Sequence, residues 1–180
     1  MFSGSILFAQ PEQRIVLQTR RGRDLKNAID IAPEPRHFEV HRRLKGKHPR
    51  WAERIKPTGG YNCLGLLWAS RRTCLFDDLE NQIAMVFEDD GYRVLDSSRE
   101  EVVRGDLVAY WTQTADRRIF LHAGLVVEVQ RATPGLAITN PLVLSKFDST
   151  SGEFIHSYRD VEFPFEYSIE FWTDRPGEAT

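Results

Sequence analysis

Cysteine and methionine are scarce in this 180-residue chain, with two of each. Two cysteines, Cys63 and Cys74, make no disulfide framework, so a fold must rest on an apolar core, for which one domain of this length suffices. No apolar run reaches the roughly 18–20 residues of a membrane-spanning helix, and no membrane partner is expected. The opening "MFSGSILFAQPEQR" lacks the basic n-region and cleavage site of a secretory leader. The expected compartment is therefore the cytoplasm, with delivery as an effector that has no classical signal peptide as the other route. Cys63, His122 and His156 have no close ligand pair of the CxxC or HxxxH kind, so neither a metal nor another cofactor is expected. Internal repeats and low-complexity tracts are also missing.

What is present is unevenly distributed. The net charge is only −2, yet residues 1–60 hold thirteen Lys and Arg against six Asp and Glu, and the rest holds eleven against twenty. "RRGR" (20–23) and "HRRLKGKHPR" (41–50) carry much of the excess. Such clusters either dock on the acidic remainder of the same chain or grip nucleic acid or an acidic protein partner. The pattern divides the chain into a basic N-terminal extension, residues 1–57, packed on a core of residues 58–180.

In the front segment, strand-like patches at 5–10 and 14–19 precede a turn-rich stretch where Pro33, Pro35, Pro49 and Pro57 break any long helix. "WAERI" (51–55) reads as one helical turn. Residues 61–73 are helical and apolar on nearly all sides, as in a buried helix, with Cys63 at its start and Cys74 about three turns on. "LFDDLENQIAMVFEDDGY" predicts a second helix stopping at Gly91. The β-branched and aromatic runs at 105–111, 119–129, 135–147 and 167–173 predict strands, with turns at "TADRR", "ATPG" and "DSTSGE". The result is an α+β layout, a buried helix on an antiparallel sheet. Trp68, Trp111 and Trp172 read as core.

A cysteine at a helix N-terminus, after Gly59-Gly60-Tyr61-Asn62, has the field that favours a thiolate nucleophile. Tyr61 and Asn62 are the neighbouring candidates for oxyanion and substrate contacts. A nucleophile needs a base, and His122 in "FLHAGLVVEV" enters a strand beside small residues. A hairpin turning near Pro134 sets His122 opposite about residue 146, which leaves Asp148, Ser145 and His156, in that order, to orient the imidazole. Cys74 reads as neutral core.

The order of Cys63 at a helix start, then "GDLV" (105–108), then "HAGLV" (122–126), resembles the NlpC/P60 and CHAP superfamily of papain-like cysteine hydrolases. "NCLG" stands where that superfamily has "DCSG", and Asp148 stands where a "SKxG" ending has Gly. The resemblance implies a papain-like fold and a Cys63–His122 thiol hydrolase cleaving a peptide or isopeptide bond. Its substrate would be a peptide, a peptidoglycan fragment or a protein tail. Two alternatives stay open: a thiol acyltransferase of the same fold, and a non-catalytic binding module that uses the basic N-terminal segment.

Overall fold

The computed structural model describes residues 15–28, 32–96, 100–131 and 139–177. Along the chain lie β1 (Asn27–Ala28), α1 (Pro35–Lys47), β2 (Ala52–Ile55), α2 (Cys63–Trp68), β3 (Cys74–Leu75) and α3 (Leu79–Asp90). Then come β4 (Arg93–Val94), β5 (Leu107–Gln113), β6 (Arg118–Arg131), β7 (Thr139–Lys146), β8 (Glu153–Ser157) and β9 (Ser168–Thr173). Seven of the strands form one antiparallel sheet in the order β2-β8-β7-β6-β5-β9-β4, and β1 pairs with β3 separately. Among the described residues the fold is mixed α and β, with three helices and a large antiparallel sheet.

Both faces of the sheet are covered, which is why β5 reads as a continuous apolar run rather than an alternating one. Leu107, Ala109, Trp111 and Ala123 face α2 and α3, where Cys63, Leu64, Ile83, Val86 and Phe87 complete one core. Val108, Tyr110, Val126 and Val143 face the other way and pack with Val161. Successive strand residues point to opposite faces, so these two sets assign a side to the positions of β5 and, between its bulges at Leu121 and Val127, of β6.

Helix α1 begins at Pro35, at a position where a missing N–H costs nothing, and His37 Nδ1 accepts the Glu34 N–H (2.8 Å). Its buried His41 stacks on Phe154 (4.6 Å). The prolines at 33, 35 and 49 thus bracket a helix where the sequence reading had none. "AERI" is a strand, not a helical turn, and it extends the central sheet beyond β8. The front segment therefore supplies both an edge strand and a covering helix. The expected strand at 14–19 is reduced to a single bridge, Gln18 to Asp24, and residues 5–10 and the "ATPG" turn lie outside the described residues.

The expected helix at 61–73 is shorter. It ends at Trp68, and Ser70 and Arg71 follow with left-handed φ of 49° and 65°. Cys74 therefore sits on β3, fully buried, and not three turns down the helix of Cys63. Neither cysteine is in a disulfide. Helix α3 runs as expected to a left-handed Gly91 (φ 80°). The three tryptophans join the α2–α3 core as expected.

Candidate functional site

Cys63 is the first residue of α2, and Asn62 caps it by accepting the Gly65 N–H (3.0 Å). Asn62 also donates to the Leu75 carbonyl (2.8 Å) and accepts from the Leu75 N–H (3.3 Å), which fastens β3 to the helix start. The thiol is buried at 8% exposure. Burial pushes its pKa up to about 11, with a small push from the Asp148 carboxylate; the N–H groups of Ala123, Leu64 and Cys63 pull only partly against it. A helix start alone does not make a thiolate when the sulfur is dry. At neutral pH this is a thiol.

His122 lies on the other side of the sheet. Its cross-strand partner is Tyr110, whose ring it meets at 5.7 Å, while its neighbour Ala123 packs in the Cys63 core. The ring also stacks on Phe147 at 4.9 Å. Neither imidazole nitrogen has a hydrogen-bond partner among the described residues. The expected Cys63–His122 pair is therefore not assembled, because strand alternation turns the His122 side chain to the face of the sheet away from α2, which carries Cys63. Burial, and then the neighbouring His156, depress the His122 pKa to about 3.

The structure does bring together two of the residues expected to orient His122, but with each other. Ser145 Oγ and His156 Nε2 are 2.6 Å apart, and His156 Nδ1 lies 2.8 Å from the Ser157 carbonyl. A carbonyl only accepts, so Nδ1 carries the proton and the Ser145 hydroxyl donates to Nε2. That is nucleophile–base geometry, yet Ser145 has no exposed surface and His156 only 2%. Asp148 is exposed and turns its own loop, accepting from the N–H groups of Thr150 (2.7 Å) and Ser151 (2.5 Å). It makes no hydrogen bond to His122.

Tyr61 is likewise structural. Its hydroxyl donates to Glu153 Oε1 (2.6 Å), a buried carboxylate that Arg71 also grips at 2.6 and 3.1 Å. Lys146, the cross-strand partner of Glu153, is fully buried; its ammonium lies 4.7 Å over the Tyr61 ring and donates to the carbonyls of Thr58 (2.7 Å) and Ser151. Tyr61 and Asn62 thus hold the α2 entrance in place rather than offering donors to a substrate.

The basic front is largely paired within the chain. Arg23 binds Asp89 and Glu88 at the end of α3 (2.6 and 2.7 Å), and Arg20 donates to the Asp90 carbonyl (2.8 Å). On and after α1, Arg42 and Arg43 pair with Glu39, Lys45 with Glu53 and Lys47 with Glu162. Exposed pairs contribute little stability, roughly 0–1 kcal/mol each, but they occupy the charges a nucleic acid would need.

One open site was missed in the sequence reading. A groove of about 420 Å³ lies beside β7 and β8. Leu142, Ile155, His156, Arg50, Asp160, Gln130 and Asn140 are among the residues that line it. These residues come from four separate segments, so no motif marks them.

The depressed His122 pKa has a sign. The unfolded imidazole takes a proton at about pH 6.5 and the buried one resists until about pH 3. Protons therefore bind the unfolded chain preferentially in that window, and stability is full above it and falls as the pH drops through it. His122→Phe is expected to be close to neutral at pH 7 and to weaken the acid dependence, with His156 supplying the remainder. Urea midpoints of both proteins at roughly pH 7 and 4.5 read this difference; parallel pH dependences would contradict it.

No family model matches the chain, and neither a curated protein nor a solved structure matches it.

Proposed function

We propose that the chain is a non-catalytic ligand-binding module on an α+β scaffold, with the groove beside β7 and β8 as its ligand site. The observation that carries this reading is the sheet standing between the Cys63 thiol and the His122 imidazole. Without a base within hydrogen-bond reach, a buried neutral thiol is a poor nucleophile. The paired cations of residues 20–47 turn the search for a ligand away from that front and toward the groove. Its volume falls within the roughly 300–1,000 Å³ of small-ligand sites.

A papain-like thiol hydrolase or acyltransferase is the second reading. It is favoured by the three N–H groups around the Cys63 sulfur and by the order of Cys63, "GDLV" and His122. In that reading β6 shifts by one residue at its bulge opposite Tyr110 and Trp111, which moves His122 to the face of Cys63.

Amine release from peptidoglycan stem peptides and from fluorogenic amides, compared between wild type and Cys63→Ala, separates the two. The binding reading expects no Cys63-dependent turnover with either amide class. Turnover that vanishes in Cys63→Ala and in His122→Phe would establish the hydrolase instead.

A further inference from the structure

The groove carries opposite charges that do not neutralise each other. Arg50 and Asp160 both line it, yet among the described residues neither forms an ion pair or a side-chain hydrogen bond. Gln130 has no side-chain partner there either. Asn140 uses its Oδ1 to accept from Ser157 Oγ (2.6 Å), which leaves its Nδ2 donors for a ligand.

Strand pairing sets Gln130 opposite Asn140, Leu142 opposite Ser157 and Ala52 opposite Ile155. Two carboxamides therefore lie side by side in a groove that Leu142 and Ile155 also line. Carboxamides match a peptide bond in both donor and acceptor. A guanidinium matches a carboxylate in a forked geometry, and a carboxylate matches an ammonium.

We propose that this groove binds a short zwitterionic peptide, with Arg50 on its terminal carboxylate, Asp160 on its ammonium and Leu142 and Ile155 against a side chain. The assignment rests on the groove being the functional site. Binding forms no covalent bond and requires no proton transfer.

The test titrates the full chain, labelled with ¹⁵N, with the free dipeptide Gly-Leu and with its N-acetylated, C-amidated form. Amide shifts near Gln130, Asn140 and Ser157 report occupancy. The free dipeptide is expected to saturate these shifts, and the blocked form to bind at least about tenfold more weakly, since one lost charge-assisted contact is worth about 1.5–3 kcal/mol. Arg50→Gln and Asp160→Asn are each expected to weaken the free dipeptide and to narrow its advantage over the blocked one. Both residues are surface-accessible, so these variants should keep the wild-type spectrum elsewhere. Equal binding of the two forms in the groove would overturn the zwitterion assignment and leave the groove as a binding site. Groove amides that respond to neither form would overturn the site itself.

Discussion

Glu153→Ala is expected to lower the stability of the protein by about 3–5 kcal/mol, the range for breaking a buried ion pair from one side. Glu153 is 1% exposed and accepts from Tyr61 and Arg71. Arg71 is partly in solvent (42% of its side chain) and can rehydrate when the carboxylate goes. Lys146, fully buried on the next strand, keeps its bonds to the carbonyls of Thr58 and Ser151. The cost comes from the buried Tyr61 hydroxyl and the Arg71 guanidinium losing the carboxylate that accepts from them. At about 2–4 °C per kcal/mol for a chain of this size, the melting temperature should fall by roughly 10 °C. Tyr61→Phe removes only one donor to the same carboxylate and should cost less, about 1.5–3 kcal/mol. A denaturant midpoint for Glu153→Ala indistinguishable from wild type would show that the network contributes nothing.

Gly65→Ala should be as severe for a steric reason. A Cβ at this position would lie 1.8 Å from the Thr73 carbonyl oxygen and 3.0 Å from the Tyr61 Cβ. The obstacle is backbone, so no side chain can swing away. Helix α2 would have to lift from β3, taking the Asn62 bonds to Leu75 with it. The expected loss is at or above the upper end of the roughly 1–3 kcal/mol typical of overpacking, which outweighs the ~1 kcal/mol that Ala gains over Gly in a helix. Gly46→Ala on α1 is the matched control. Nothing lies within 4 Å of that Cβ, so the substitution should raise stability by up to ~1 kcal/mol. Urea unfolding of both variants checks the pair; a stabilising Gly65→Ala would refute the close approach of α2 to Thr73.

Sheet and helix patterns differed in how legible they were. The β-branched runs of β5, β6, β7 and β9 and the Gly91 stop of α3 are strong local signals, and they marked these elements correctly to within a few residues. Strand β8 was hidden because "DSTSGE" reads as a turn that runs straight into its first residue. Helix α1 was hidden because prolines at its start and beyond its end look like breakers when read one at a time. The early stop of α2 came from Ser70 and Arg71 in left-handed conformation, a state that neither residue type announces.

The site failed to read out for a reason of parity. An expected pairing of His122 with about residue 146 would have put the imidazole on the side of Lys146, above Tyr61. The observed register pairs Gly124 with Ser145, which carries His122 toward Phe147 instead. One residue of register exchanges the faces of a strand, and a bulge in β6 leaves no trace in a run such as "IFLHAGLVVEV". Cys63 was placed correctly at a helix start, but its dryness depends on side chains from α3 and β6 that no local pattern reveals.

Iodoacetamide alkylation of Cys63 in the native protein, followed against pH in wild type and in His122→Phe, tests the separation of thiol and imidazole most directly. Cys74 is fully buried, and peptide mapping distinguishes the two sites. The predicted result is slow alkylation of Cys63 at neutral pH, rising only as the pH approaches the thiol pKa of about 11, with the same profile in His122→Phe. Rapid alkylation at neutral pH that is lost in His122→Phe would place the imidazole beside the sulfur and contradict the account.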